Sequence, residues 1–152
     1  MSEARVDGKK ILVVDDDPSI LKVIRMRLEA QGYRVTTAIE AKKAISLAAE
    51  NTFDAALLDL KLKGENGIRL MQDLHQIHPE MPVIILTAYG DVQTAVEALQ
   101  GGAFQYLTKP VNFQEVAHVV EQAVAADDRG RENRALRHAV SADSPGPDLI
   151  GE

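Results

Sequence analysis

Cysteine is missing from all 152 residues. That removes disulfides, thiolate metal sites and thiol nucleophiles, and leaves no reason to place the chain in an oxidising compartment. Long apolar runs are missing too. No stretch approaches roughly eighteen consecutive apolar residues, so no segment reads as a membrane span. The opening MSEARVDGKK has charges with no apolar run behind them and does not read as a secretory leader. The expected location is therefore the cytoplasm. Basic residues are in deficit, with Lys+Arg 17 against Asp+Glu 23 and a net charge of −6. A nucleic-acid surface needs a clustered basic face, and none is present. The 45% hydrophobic and 26% charged residues are ordinary for a globular protein, and the length suits one domain plus an appendage.

Short β-type runs alternate with longer helical patterns. The apolar runs are Lys10–Val14, Tyr33–Ala38, Phe53–Leu58, Val83–Leu86 and Phe104–Leu107. Most are rich in Val, Ile or Leu, as strands buried on both faces of a parallel sheet should be. Between them, Ile20, Val23, Ile24 and Leu28 follow Pro18, which suits a first helical turn, and Gly32 stops that helix. Ala41–Ala49 is rich in helix formers. Ile68, Leu70, Met71, Leu74 and Ile77 recur at helical spacing before Pro79, and Val92, Val96 and Leu99 do so before Gly101–Gly102. A last helix starts near Asn112, with Glu115 completing a capping-box pattern. Five strand–helix repeats predict an α/β sandwich with helices on both faces of a parallel sheet.

The compact domain is expected at residues 8–126. Residues 127–152 read as a polar helical extension followed by a flexible linker, SADSPGPDLIGE.

In a parallel α/β sheet, ligand chemistry collects at the carboxyl ends of the strands. Asp15, Asp16 and Asp17 follow the first strand, Asp59 the third, Thr87 the fourth and Lys109 the fifth. Singly, each has an ordinary explanation: an Asp at a strand end is a helix cap or turn residue, Thr87 a cap, Lys109 a surface charge. Together at one edge they are hard to explain as structure, because crowded carboxylates repel and each requires a cation or a proton. A hard divalent ion such as Mg²⁺, which takes oxygen ligands, removes that difficulty. Asp16 and Asp59 would supply carboxylates, Asp15 would bind directly or through a water, and the main-chain carbonyl of Lys61 could add an oxygen. A phosphoryl group on Asp59, formed by carboxylate attack, would then meet the metal, the Thr87 hydroxyl and the Lys109 ammonium.

The segments VVDDD, LLDLKL, LTAYG and YLTKP resemble the motif regions of two-component response-regulator receivers, over residues 9–124. The resemblance implies a flavodoxin-like, five-stranded parallel sheet of order 2-1-3-4-5, for which flavodoxin and a member of this same family are type examples. It implies Asp59 as phosphoacceptor, Asp15 and Asp16 as the acidic pair, Thr87 as the switch hydroxyl, Lys109 as the phosphate-binding lysine and Tyr106 as the switch aromatic. Without it, Tyr106 reads as a half-buried core aromatic. The Lys109–Pro110 bond is expected to be cis. Lys63 departs from the pattern, standing where many relatives have proline. In such domains the positions of Lys61 and Tyr89 often tune dephosphorylation, and the resemblance leads to the expectation that Tyr89 partly covers the acyl phosphate and slows its hydrolysis. The partner implied is a sensor histidine kinase.

GAFQYLTKP and the long last helix resemble NtrC-type regulators of sigma-54-dependent transcription, ENRALR their helical linker and DLIGE the opening of their AAA+ ATPase module. A regulatory fragment of such an activator is expected; the alternative is a single-domain regulator with a tail. In the best heptad frame Val119, Ala126, Asn133 and Val140 fall at a and Gln122, Arg129 and Leu136 at d, with Gly130 interrupting. A phosphorylation-dependent homodimer is expected, although a solvated helix fits the pattern equally. A haloacid-dehalogenase-like phosphatase, with the first Asp of Asp15-x-Asp17 as nucleophile, would need acids at a late strand end. A flavodoxin-type flavin site would need a Ser/Thr/Gly-rich loop after strand one, where three aspartates stand.

Overall fold

The computed structural model describes residues 8–62, 64–88 and 92–127. The chain runs β1 (Lys10–Val14), α1 (Pro18–Ala30), β2 (Arg34–Ala38), α2 (Ala41–Glu50), β3 (Ala55–Asp59), β4 (Lys61–Leu62), β5 (Glu65–Asn66), α3 (Gly67–Ile77), β6 (Val83–Thr87), α4 (Val92–Gln100) and β7 (Gln105–Thr108). A closing helix occupies 113–127. The five main strands pair in parallel in the order β2-β1-β3-β6-β7. This is the expected 2-1-3-4-5 arrangement once the β4–β5 hairpin is set aside.

Strand periodicity divides the core in two. Ile11 and Val13, Ala55 and Leu57, Ile84 and Leu86, and Leu107 point to one face, where Leu21, Ile24 and Leu28 of α1 and Val116, Val120 and Ala123 of the closing helix cover them. Leu12 and Val14, Ala56 and Leu58, and Val83 and Ile85 point to the other face, covered by Ala41, Ala44 and Ala48 of α2, Leu70, Met71 and Leu74 of α3 and Ala98 of α4. With both faces covered, β3 and β6 are buried at every residue, which explains their unbroken apolar runs.

Helix boundaries follow their caps. Asp17 accepts from the Ser19 amide at 2.9 Å ahead of Pro18, and Asn66 accepts from the Ile68 amide at 2.7 Å. Asn112 accepts from the amides of Gln114 and Glu115 at 2.8 and 3.3 Å, forming its half of the expected capping box. Gly32 and Gly102 take φ of 105° and 116°, the left-handed turn that closes α1 and α4.

Three strands begin later than their apolar runs. Tyr33, Phe53 and Phe104 lie before β2, β3 and β7, because pairing with neighbours starts only at Arg34, Ala55 and Gln105. Tyr33 and Phe53 are buried there as core plugs. Burial, and secondarily the Glu121 charge, pushes the Tyr33 hydroxyl up to about 12. The antiparallel β4–β5 hairpin, Lys61 opposite Asn66 and Leu62 opposite Glu65, was not expected. Lys63, Tyr89 and the proposed heptad positions beyond Ala126 lie outside the described residues. No helix among the described residues is long and apolar enough to cross a membrane.

Candidate functional site

The carboxyl edge of the sheet gathers the expected groups. Asp15 follows β1 and is completely buried, Asp59 ends β3 and is 5% exposed, and Asp16 is partly buried. One carboxylate oxygen from each of Asp15, Asp16 and Asp59 lies within 4.8 Å of the others. The Lys109 ammonium, just beyond β7, sits 3.0 Å from Asp15 Oδ2 and 3.3 Å from Asp59 Oδ2. Asp15, Asp59 and Lys109 continue the strand parity of the face covered by α1 and the closing helix, so they converge rather than splay.

The three aspartates after β1 do different work. Asp17 caps α1. Asp15 Oδ1 accepts from the Asp17 amide at 2.9 Å. Asp15 Oδ2 faces the Lys109 ammonium at 3.0 Å as a buried ion pair. Asp16 is left to the cluster.

Electrostatics follow from this crowding. Burial first, then the Asp15 charge, raise the Asp59 carboxyl above its ordinary 3.8, against the lowering effect of Lys109 and of the Lys61 amide. Burial pulls the Lys109 ammonium down, but its hydrogen bond and charge interaction with Asp15, and those with Asp59, outweigh that and leave it raised above 10.5. The cluster fits a hard cation: three carboxylates at short mutual distance, two of them buried beside a single ammonium, and no soft ligand.

Main-chain bonds fix the edge. Leu60 N donates to Leu86 O at 2.7 Å, Lys109 N donates to Thr87 O at 2.7 Å, and Lys61 N reaches Asp59 Oδ1 at 3.3 Å. Thr87 is fully buried. Its hydroxyl donates weakly to Ala88 O at 3.4 Å rather than joining the acids. Tyr106 sits opposite Ile85 on β7, half-buried against the α2–α3–α4 face, the face whose parity Thr87 shares. The Lys109–Pro110 bond is cis, as the resemblance implies. After β7 the strand end presents Lys109 rather than the acids a haloacid-dehalogenase site needs.

Sequence reasoning missed two features here. One is the β4–β5 hairpin that follows the acid, whose signal was the Gly64 turn between short polar runs. The other is Asp54, buried at the opposite end of β3, whose only sequence signal is an Asp just ahead of an apolar run.

Sheet order, helices on both faces and this acidic edge define a receiver-type, flavodoxin-like domain. The chain belongs to the response regulator receiver domain family, which matches residues 11–121, and is thus a signalling domain of two-component systems. It is 39% identical over 127 residues to the transcriptional regulatory protein GlrR of Escherichia coli, covering 80% of this chain and 29% of that protein. It is 37% identical over 142 residues to the DNA-binding transcriptional regulator NtrC of Salmonella typhimurium, covering 93% of this chain and 29% of that one. The crystal structure of NtrX from Brucella abortus, in complex with ADP, superposes with a TM-score of 0.82 at 28% identity, over 95% of this chain and 31% of NtrX. The chain thus spans under a third of the length of these regulators.

Proposed function

We propose that this domain accepts a phosphoryl group on Asp59 from a sensor histidine kinase and relays it as a conformational change to a transcriptional output. The observation that carries this reading is the convergence of Asp15, Asp16, Asp59 and Lys109 on one buried edge. An Asp59 carboxylate oxygen attacks phosphorus, the phosphohistidine N–P bond breaks, and the imidazole leaves as the acyl phosphate forms. Lys109, already within reach of Asp59, pairs with the incoming phosphoryl oxygens. Mg²⁺ held by Asp15, Asp16, Asp59 and the Lys61 carbonyl would neutralise charge on the transferred group. The only chemistry assigned to the chain is this self-catalysed transfer and its hydrolysis.

In this reading Thr87 turns its hydroxyl from Ala88 O toward the phosphate, and Tyr106 moves into the space on the same face. α4, β7 and the closing helix form the surface that responds. Val96 and Phe104, 42% and 37% exposed, supply apolar area there for a homodimer. We assign residues 8–126 to the receiver and 127–152 to a linker leading to a sigma-54-type AAA+ output. The similarity to regulators of which this chain covers only 29% supports that assignment. Incubation with acetyl phosphate and Mg²⁺, read by intact mass, tests the proposal. One phosphoryl increment lost in Asp59→Asn and in EDTA is expected; an increment that survives Asp59→Asn overturns it.

A further inference from the structure

Gly67 opens α3, is buried, and donates its amide to Leu60 O at 2.7 Å. A Cβ at this position would overlap the Asp59 carbonyl oxygen and lie 2.8 Å from Leu60 Cα and 3.0 Å from the Asp59 carbonyl carbon. All three neighbours are main chain, so no side-chain rotation relieves the overlap. Gly64 makes a useful contrast. It takes φ +70° with open space around it, so its requirement is conformational. Gly67 has no positive φ, so its requirement is space.

We propose that Gly67 is a positioning residue for Asp59, letting α3 start against the main chain of the phosphoacceptor and so setting where its carboxylate stands. The proposal rests on Asp59 as acceptor. Both flanks are constrained. Asp59 pairs with Leu86 in the sheet and Leu60 N donates to Leu86 O, so the end of β3 moves only if its bonds to β6 give way. The β4–β5 hairpin returns the chain, through the Gly67–Leu60 hydrogen bond, to the same point. A methyl group at Gly67 must therefore displace either the Asp59–Leu60 peptide or the first turn of α3. The first moves Asp59 relative to Asp15 and Lys109, and Lys61 with it; the second pulls on Leu60, next to Asp59, through the Gly67–Leu60 hydrogen bond. Helix propensity alone favours Ala over Gly at a helical position, so without this contact the substitution would stabilise the domain.

The test compares Gly67→Ala with the unsubstituted protein and with Leu28→Ala, a core truncation at the far end of α1 that serves as a general destabilisation control. Far-UV circular dichroism establishes folding, thermal melts give stability, and Mg²⁺ affinity is titrated without phosphodonor. Displacement of a reacting group by about 1 Å costs up to a hundredfold. Gly67→Ala should accordingly weaken Mg²⁺ binding and slow acetyl-phosphate phosphorylation by about tenfold or more, whereas Leu28→Ala lowers the melting temperature and leaves Mg²⁺ affinity within about twofold. A folded Gly67→Ala that matches the unsubstituted protein in both overturns the proposal. If Gly67→Ala does not fold, the unsubstituted protein decides by NMR. The Gly67 amide should shift on Mg²⁺ titration with the midpoint of the Lys61 amide, and an unmoved Gly67 resonance overturns the proposal. Should the protein take up no phosphoryl group at all, the reading of Asp59 fails, while the Mg²⁺ titrations still decide the role of Gly67.

Discussion

The two ends of strand β3 carry the same residue type at nearly the same burial, and the two carboxylates answer to different needs. Asp54, just before the strand, is 8% exposed and Asp59, at its end, 5%. Asp54 accepts from the Lys10 amide at 2.8 Å, joining the start of β1 to the start of β3. A directed backbone donor offsets its burial, as it does for most buried polar groups. Asp59 receives a longer 3.3 Å bond from the Lys61 amide, draws on a Lys109 ammonium that it shares with Asp15, and shares its space with that buried acid. Its carboxyl is raised, and Lys109 bridges the two acids. A buried acid with a matched donor stabilises the fold. A buried acid facing another acid is a cost that only a ligand or a cation explains.

The contrast can be broken most decisively in chemistry. Asp59→Asn should abolish phosphoryl uptake, whereas Asp54→Asn should leave it within about twofold, because Asp54 lies at the opposite end of β3 from the acidic edge. Lys109→Ala should slow uptake by about a hundredfold or more, the usual consequence of losing one donor to a developing negative charge. Initial rates with acetyl phosphate measure both.

Stability sharpens the same contrast with smaller effects. Asp54→Ala leaves the Lys10 amide without this acceptor and should cost about 1–3 kcal/mol in urea melts at pH 7. Asp59→Asn, in EDTA, should be neutral or stabilising. The sign follows from the raised folded pKa. The native state holds the Asp59 proton more tightly than the unfolded chain does. Stability from this group is therefore greatest below about 3.8 and is lost as pH rises through the folded value. Removing the carboxylate removes that loss at pH 7. A drop in Asp59→Asn as large as in Asp54→Ala would erase the distinction.

The smallest effect lies far from both acids. Tyr33, held up to about 12 by burial, keeps its proton in the fold after the unfolded chain begins to lose it near 10. Stability should therefore fall between these values as pH rises, with no effect at pH 7, and Tyr33→Phe should flatten that alkaline slope.

Much of this was legible in the residues. Strands buried on both faces announce themselves as unbroken Val, Ile and Leu runs, and Gly32 and Gly101–Gly102 mark where helices stop. The edge constellation was legible because parallel strands bring their carboxyl ends together, so residues as distant as Asp15 and Lys109 must meet. Asp54 and Gly67 were not legible. Their roles depend on register across β1 and on how closely α3 approaches β3, which no local pattern encodes. The starts of β2, β3 and β7 were displaced for the same reason: Tyr33, Phe53 and Phe104 are as apolar as strand residues, and only pairing separates them. The division of labour among Asp15, Asp16 and Asp17 also needed geometry, since three adjacent aspartates look alike until one caps α1 and another is buried.

The central claim is that Asp59, and no other group at this edge, takes the phosphoryl group. Borohydride reduction of the phosphorylated protein converts an aspartyl phosphate to homoserine, which peptide mass mapping locates. Homoserine at position 59 alone is the predicted result. Reduction at Asp15 or Asp16, or a phosphate that resists borohydride on Thr87, would contradict the account.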